Sequence, residues 1–219
     1  MAAAARAAGL RYLAITDHSR YLGIYRGLDA GRVAAQIDAI DELNAKLRGL
    51  TLLKGVEVDI LENGELALPD DILGRLDLVV AAIHGHFELA LARQTARVLR
   101  ALDRPFLSIL AHPTGRLIGE REGIQLDMDR VLEAAARRPC YLELNAQPLR
   151  LDCDDLLAKA AREHGVLVSI ASDAHSGADF GYLEDGVRQG RRGWLTPKDV
   201  LNARPLADAR RLLQRTRRA

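Results

Sequence analysis

Short apolar runs recur along this chain of 219 residues, and stretches with helical spacing separate them. Each run is nearly continuous, which is typical of a strand that is buried on both faces in a parallel sheet. The pattern predicts six strands, which cover residues 10–15, 50–58, 78–83, 107–111, 141–144 and 166–171.

Helices are predicted between these strands. The clearest covers residues 30–47, where one face of the helix carries Val33, Ile37, Ile40, Leu43 and Leu47. An Ala-rich N-terminal stretch that stops at Gly9 indicates the tail of another helix. Further helices are predicted over residues 70–75, 88–102, 128–138, 154–164 and 206–217, with one more that ends near residue 191. Residues 177–181 are predicted to form a Gly-rich loop.

The regular alternation of strands and helices indicates parallel βαβ units. The sequence contains no linker, no low-complexity segment and no sign of a second domain. We therefore expect residues 1–219 to form a single α/β domain.

Composition narrows the class of protein. Hydrophobic residues make up 48% of the chain and charged residues 28%, as in globular proteins. The formal net charge of +1 gives no global field that would attract nucleic acid or an anionic membrane. The two cysteines, Cys140 and Cys153, form neither a disulfide framework nor a C-x-x-C motif. Because membrane-span and signal-peptide patterns are also missing, we expect a cytoplasmic protein without a membrane partner.

Each predicted strand carries, near its end or directly after it, a side chain that can bind a metal ion or form a hydrogen bond. The active sites of parallel barrel enzymes lie at this carboxyl end of the strands. In chain order these residues are Asp17 and His18, Glu57, His84, His112, Asn145, and Asp173 with His175. Taken singly, each histidine or carboxylate is more often an ordinary core or surface residue. Taken together, four imidazoles and three carboxylates would meet at one rim of the sheet.

Such a concentration of charge points to metal ions, because buried charges are costly unless they are paired or bound to metal. Mixed imidazole and carboxylate ligands suit Zn²⁺, Mn²⁺ or Fe²⁺, and one carboxylate can bridge two ions. Paired ions stabilise the attacking and leaving oxygens in phosphoryl transfer and generate hydroxide near neutral pH. The pattern is therefore compatible with metal-dependent chemistry on phosphate esters.

Other polar residues carry weaker signals. His164 lies in the last turn of a predicted helix, where a protonated histidine suits the helix dipole, so we interpret it as structural. His86 could support a ligand or contact substrate, although a solvated loop histidine is favoured. Ser19, Tyr25 and Arg116 lie on rim loops, where phosphate contact and an ordinary loop role are equally compatible with the sequence. A basic run near the C-terminus favours a solvated helix face over a nucleic-acid contact; it comprises Arg210, Arg211, Arg215, Arg217 and Arg218.

Six segments of the chain resemble the polymerase and histidinol phosphatase (PHP) family. They cover residues 14–19, 55–60, 82–84, 110–113, 143–145 and 172–175, which read AITDHS, GVEVDI, AIH, LAHP, ELN and SDAH. These details are most similar to the C-terminal PHP domain of bacterial X-family DNA polymerases. The resemblance covers nearly the whole chain and implies a distorted (βα)₇ barrel, similar to a TIM barrel, with three metal ions. It also implies Mn²⁺-dependent 3′–5′ exonuclease activity or a related phosphoesterase activity.

The resemblance further implies a role for each candidate ligand. Glu57 would bridge two ions, and His84 and His112 would complete the shell of one of them. Asp173 would bind the other ion of that pair, and His18 would hold a third ion together with His175.

The implied ions are Mn²⁺ or Zn²⁺, and the implied substrate is a DNA 3′ end or a small phosphate ester. The implied catalytic residues are Glu57, His112 and Asp173. Residues that could contact substrate or support the ligands are Asp17, Ser19, His86, Arg116 and Asn145.

The chain departs from the family pattern at its beginning. The family starts with a strand that carries His-x-His, followed by a further Asp or His ligand, and neither is present here. We therefore expect a barrel that lacks its first strand, with unpaired edges on the flanking strands and fewer than three ions. The polymerase domain upstream in the family is not in this chain either, which favours a fragment or a late start codon.

Two alternatives to the exonuclease interpretation stay open. One is a phosphomonoesterase of the histidinol-phosphatase type, which uses the same chemistry on small molecules. The other is a binding or structural module whose catalysis is impaired, because the ligands of the first strand are missing.

Overall fold

Seven strands and eight α-helices occur in the part of the chain that the computed structural model describes, residues 1–20 and 27–217. The strands are β1 (Tyr12–Ile15), β2 (Thr51–Lys54), β3 (Glu57–Asp59), β4 (Val79–Ala82), β5 (Leu107–Leu110), β6 (Tyr141–Asn145) and β7 (Val168–Ala171). The helices are α1 (Ala2–Ala7), α2 (Ala30–Lys46), α3 (Asp70–Leu73), α4 (Leu91–Leu102), α5 (Met128–Arg137), α6 (Asp155–Glu163), α7 (Leu183–Arg192) and α8 (Leu206–Arg215). Short 3₁₀ helices cover Gly177–Tyr182, Pro197–Asp199 and Leu201–Ala203.

All the strands pair in parallel, and their spatial order follows the chain. β1 pairs with β2, while β3, β4, β5, β6 and β7 form a second sheet in that order. Helices connect most of the neighbouring strands. The α/β class and the TIM-like arrangement of parallel βαβ units are thus confirmed.

One predicted strand, residues 50–58, is wrong as a single element. β2 ends at Lys54 and β3 begins at Glu57, and the two strands belong to different sheets. The reason is a change of pairing partner, since β2 pairs with β1 whereas β3 pairs with β4.

The backbone between β2 and β3 joins the two sheets into one curved wall. The amide of Gly55 donates to the carbonyl of Ile15 at 3.0 Å, and the amide of Val80 donates to the carbonyl of Val56 at 3.0 Å. A β-carbon at Gly55 would lie only 3.0 Å from the Ile15 oxygen. The close approach of the two backbones therefore favours glycine at the junction.

The wall is open between β7 and β1, which do not pair with each other in the described residues. The expected unpaired edge is found on β1. The edge of β7 is partly covered, because Val168 forms a bridge with Val200. In addition, the amide of the Asn202 side chain accepts from Ile170 N at 3.0 Å and donates to Ile170 O at 2.7 Å. A cavity of about 1240 Å³ lies along the opening between the two strands.

Helix α8 closes the amino end of the barrel. The Tyr141 hydroxyl at the start of β6 donates to the carbonyl of Leu212 at 2.9 Å. The hydroxyls of Ser108 in β5 and Thr216 lie 2.8 Å apart in a buried hydrogen bond. Because α8 packs on this end, the carboxyl ends of the strands are left for a functional site.

The helix boundaries agree with the prediction to within a few residues, and aspartates cap several of them. Asp29, Asp127 and Asp154 accept from the backbone amide three residues later, at 2.9, 3.2 and 2.8 Å. The structure differs in details. Helix α4 begins at Leu91 and not at residue 88, and α8 ends at Arg215 and not at residue 217. Gly177–Tyr182 is a 3₁₀ helix rather than a loop, and Leu43, predicted on the apolar face of α2, is 46% exposed.

None of the described helices combines the length and the apolar character of a membrane-spanning segment.

Both thiols are expected to be unreactive in the folded chain. Cys140 and Cys153 are buried, and burial raises the pKa of Cys140 to about 12 and that of Cys153 well above its usual value. Since the thiolate is the reactive form, a thiol-specific disulfide reagent should label neither cysteine within minutes and both after denaturation. Immediate labelling of the native chain would contradict the buried positions.

Candidate metal centre

Glu57 lies at the centre of the site. It is the first residue of β3, and its carboxylate is inside the barrel with the residue only 8% exposed. His84 and His112 each follow the end of their strand by two residues, so both imidazoles reach the same rim. Their Nε2 atoms lie 3.2 Å and 3.0 Å from Glu57 Oε1. The structure therefore brings together the three residues that the sequence predicted as one complete site.

The distances from Glu57 Oε1 to the two imidazole nitrogens are compatible with a shared ion. Neighbouring ligands bound at 2.0–2.2 Å in octahedral or tetrahedral geometry are about 2.8–3.6 Å from one another. The two distances from Glu57 Oε1 fall within this range. Two imidazole nitrogens and one carboxylate oxygen are also a donor set that zinc and other first-row metals accept.

Asp59 orients the imidazole of His84. Asp59 Oδ1 lies 2.8 Å from His84 Nδ1, and because a carboxylate only accepts, Nδ1 is the donor. This contact leaves Nε2 directed at Glu57, as in the carboxylate–histidine–metal arrangement of many metal sites. The Ser19 hydroxyl donates to Asp59 Oδ2 at 3.0 Å and accepts from the Asp59 amide at 3.1 Å. Ser19 is 2% exposed, so its position fits ligand support and not substrate contact.

His18 approaches Glu57 from the other side. A parallel backbone bridge places His18 beside Glu57, and His18 Nδ1 is 3.9 Å from Glu57 Oε2. The rings of His18 and His84 pack edge to face, with centroids 5.1 Å apart. Ligand atoms of His18, Glu57 and His84 all lie within 4.8 Å of one another. Each oxygen of Glu57 thus faces an imidazole, which is compatible with a bridging carboxylate.

Asp173 and His175 lie farther out on the rim. Asp173 Oδ2 accepts from Asn145 Nδ2 at 3.1 Å and is 3.6 Å from Arg150 Nε. The His175 side chain is 71% exposed, with Nδ1 2.9 Å from the carbonyl oxygen of Asp173. Its ring centroid is 6.3 Å from that of His18. These two residues border the cluster around Glu57 without a hydrogen bond to it in the described contacts.

The charges of the cluster balance one another. Burial alone would raise the pKa of Glu57, but the hydrogen bonds with His112 and His84 outweigh it and hold this pKa well below the usual range. Burial alone would lower the pKa of His84, yet Asp59 and Glu57 raise it to about 9. For His112, too, Glu57 outweighs burial and raises the pKa. Such a cluster can exchange protons for a metal cation without leaving buried carboxylates unpaired.

Three of the remaining candidates have other partners. Asp17 is exposed and accepts from Gln36 Nε2 of α2 at 2.8 Å. The imidazole of His86 lies near Glu62 and Glu88, at 3.9 and 3.8 Å. Arg116 joins two loops, since it donates to the carbonyls of residues 150 and 151 and lies 3.6 Å from the carboxylate of residue 154. Tyr25 lies outside the described residues.

Sequence reasoning missed Asp59, Glu143 and Arg150 as site residues. Asp59 and Glu143 are two residues away from Glu57 and Asn145 in their strands, so the period of two in a strand could have placed them on the same face. Burial, opposed by His112 and assisted by Glu57, raises the pKa of Glu143 to about 7. Arg150 follows no strand directly, and no signal in the sequence marks it.

Fold and site together define a class of proteins, parallel α/β barrels with a histidine and carboxylate cluster at the carboxyl end of the strands. No family model matches the chain. It is 43% identical over 215 residues to the C-terminal part of the DNA polymerase/3′-5′ exonuclease PolX of Bacillus subtilis (strain 168). This match covers 98% of this chain and 38% of that protein. It is also 34% identical over 170 residues to a probable phosphatase of Thermoanaerobacter sp. (strain X514). That match covers 73% of this chain and 67% of that protein. The chain belongs to the PHP family.

The fold is shared with a solved structure. The histidinol phosphate phosphatase of Lactococcus lactis subsp. lactis, crystallised with zinc, L-histidinol and phosphate, superposes with a TM-score of 0.63 at 14% identity. The match covers 89% of this chain and 86% of that chain. At this identity the likeness concerns the fold alone. By contrast, the chain spans well under half the length of PolX.

Proposed function

We propose that the chain is a metal-dependent phosphoesterase whose ions are held by Glu57, His84 and His112, with His18 on the second oxygen of Glu57. The observation that carries the proposal is the approach of both Nε2 atoms to Glu57 Oε1, at 3.2 and 3.0 Å. When bound, divalent ions supply a hydroxide near neutral pH and neutralise charge on the phosphoryl oxygens. The residues of the chain then fix where the ester binds relative to that centre.

Arg150 is the residue best placed to bind the phosphoryl group. Its side chain is 18% exposed, and its Nε lies 3.6 Å from Asp173 at the edge of the cluster. Its NH1 nitrogen forms no hydrogen bond with any described residue, so the guanidinium is not fully committed to the protein. The exposed part of this cationic side chain can bind a phosphate oxygen. Arg116, which the sequence suggested for this role, uses its guanidinium to join two loops.

A DNA 3′ end is the substrate that we favour. The support is the similarity to the C-terminal part of PolX, a protein named as a 3′-5′ exonuclease, over 98% of this chain. The probable phosphatase among the relatives supports a small phosphomonoester as the second candidate.

Mn²⁺ and Zn²⁺ both suit the ligands. We place the chain in the cytoplasm, where the two free thiols would stay reduced, and next to a polymerase domain as in PolX.

Metal-dependent nucleotide release tests the proposal. The chain is freed of metal with a chelator and assayed with Mn²⁺ or Zn²⁺ on an oligonucleotide labelled at its 3′ nucleotide. We expect release that needs added metal and is lost in Glu57→Ala. Glu120→Ala changes an exposed glutamate on the loop after β5 and should keep full activity.

The outcomes separate the alternatives. Equal release by the wild-type chain and Glu57→Ala would overturn the proposed site. Turnover of a chromogenic phosphomonoester without nucleotide release would assign the small-molecule activity. Tightly bound ions without turnover of either substrate would refute the hydrolase and identify an impaired binding module.

Replacing Arg150 by lysine should weaken substrate binding. A lysine keeps the charge but loses the planar fork that binds two phosphate oxygens. Loss of one charge-assisted hydrogen bond corresponds to roughly a 10–100-fold higher KM. Steady-state kinetics measure this change, and an unchanged Mn²⁺ affinity shows that the metal site is intact. A variant with wild-type KM would exclude Arg150 as a phosphate contact.

A further inference from the structure

The strand between two candidate ligands carries a pair of buried polar side chains. β6 pairs with β5 on one side and with β7 on the other. His112 follows β5 and Asp173 follows β7, so β6 lies between them. Glu143 and Asn145 occupy alternate positions of β6 and are 8% and 1% exposed. Polar groups buried this deeply need specific partners.

We propose that Glu143 and Asn145 are positioning residues that hold His112 and Asp173 at a fixed separation across the rim. Glu143 Oε2 accepts from the backbone amide of His112 at 2.7 Å and from Asn145 Nδ2 at 3.3 Å. Asn145 Nδ2 also donates to Asp173 Oδ2 at 3.1 Å. One carboxylate and one amide thus connect the residues that follow β5 and β7.

The backbone explains why such support is needed. His112 has a φ of 22° and Asp173 a φ of 51°, and both lie in the left-handed region that side chains other than glycine rarely adopt. Conformations of this kind are unfavourable in isolation and persist only where the surroundings fix them. Glu143 fixes the amide of His112, and Asn145 fixes the carboxylate of Asp173.

Asn145 is itself held in one orientation. Its Oδ1 accepts from the amide of Gln147 at 3.0 Å, which directs Nδ2 towards Glu143 and Asp173. The amide group cannot flip without losing all three contacts. The pair therefore acts through other residues, and its loss should loosen the metal site without removing any atom that contacts an ion.

Metal affinity of the folded variants tests this inference, which rests on the proposed metal site but not on the substrate. Mn²⁺ affinity is measured by titration with detection of free ion by electron paramagnetic resonance. We expect Glu143→Leu and Asn145→Leu to weaken binding about 10–100-fold, as for other residues that orient ligands. Glu143→Gln retains an acceptor for the His112 amide and should lie between wild type and Glu143→Leu.

Tyr141→Phe is the matched control. Tyr141 lies on the same face of β6, two residues before Glu143, and loses a hydrogen bond to helix α8 instead. This variant should keep wild-type Mn²⁺ affinity. A second measurement needs no metal: amide hydrogen exchange at His112 should be faster in Glu143→Leu, which removes the acceptor, than in Tyr141→Phe.

The outcomes are distinguishable from those of the hydrolysis assay. If Glu143→Leu does not fold, Asn145→Leu and Glu143→Gln carry the test. Wild-type Mn²⁺ affinity in folded Asn145→Leu and in Glu143→Gln would overturn the positioning role alone. A wild-type chain that binds Mn²⁺ but hydrolyses nothing would overturn only the proposed function, and a chain that binds no ion contradicts both.

Discussion

Replacing Glu57 by glutamine is expected to lower the Mn²⁺ or Zn²⁺ affinity by more than about 100-fold, because loss of groups that only orient a ligand already costs about 10–100-fold. Glutamine has nearly the same shape but no charge, and its amide can offer only one oxygen. His84 and His112 would then lose the carboxylate that both approach through Nε2. Hydrolysis should fall to the background level.

Calorimetric titration with each metal measures the loss directly. Asp17→Asn is a suitable control, since Asp17 is an exposed carboxylate on the same rim that bonds to Gln36. It should change the affinity by less than about threefold, in line with the small energies of exposed charges. If Glu57→Gln and Asp17→Asn bind metal equally well, the ions are held elsewhere and the proposed centre is wrong.

Replacing Arg97 by leucine is expected to destabilise the fold more than any exposed change. Arg97 is on α4 and 2% exposed, and it donates to the carbonyls of Leu61 and Gly85 at 2.9 Å and to that of Ile60. These carbonyls belong to the loops that follow β3 and β4. The Leu61 carbonyl also accepts from the amide of Gly64, so the carbonyls of Ile60 and Gly85 are the two that lose their described donor. Each buried acceptor left without a donor costs about 1–3 kcal/mol, so we expect a loss of about 2–6 kcal/mol.

Urea unfolding followed by circular dichroism measures this loss. Arg93 is on the same helix, where its exposed guanidinium pairs with Glu62 at 2.7 Å. Arg93→Leu should therefore cost less than about 1 kcal/mol. The carbonyls that Arg97 holds, of residues 60, 61 and 85, lie within four residues of Glu57 or His84 in the chain. We therefore expect Arg97→Leu to weaken metal binding as well. A stability of Arg97→Leu equal to that of Arg93→Leu would contradict the buried network.

The sequence was informative about the strands because each is an almost uninterrupted apolar run. The exception was residues 50–58, where the apolar pattern continues across Gly55 although the pairing partner changes. A change of partner depends on contacts with β1 and β4, which lie elsewhere in the chain. No periodicity within the run could therefore reveal the break.

The site was predictable where a residue closely follows a strand, as His84 and His112 do. His84, His112 and Glu57 meet as the parallel order of the strands requires. The supporting groups were harder to find, since Ser19 and Asp59 contact each other across 40 residues of sequence. Likewise, Arg150 lies in the loop after β6, which has no helix or strand. Its approach to Asp173 could therefore not be inferred from a periodic pattern.

Asn202 affects how the molecule behaves towards its own copies. An open strand edge offers unpaired amides and carbonyls on which a strand of another molecule can add, and chains aggregate through such contacts. At Ile170 both backbone groups already bond to the side chain of Asn202, which imitates the polar groups of a neighbouring strand. β7 is thereby a poor template for intermolecular growth, and concentrated samples are most exposed to such growth along β1.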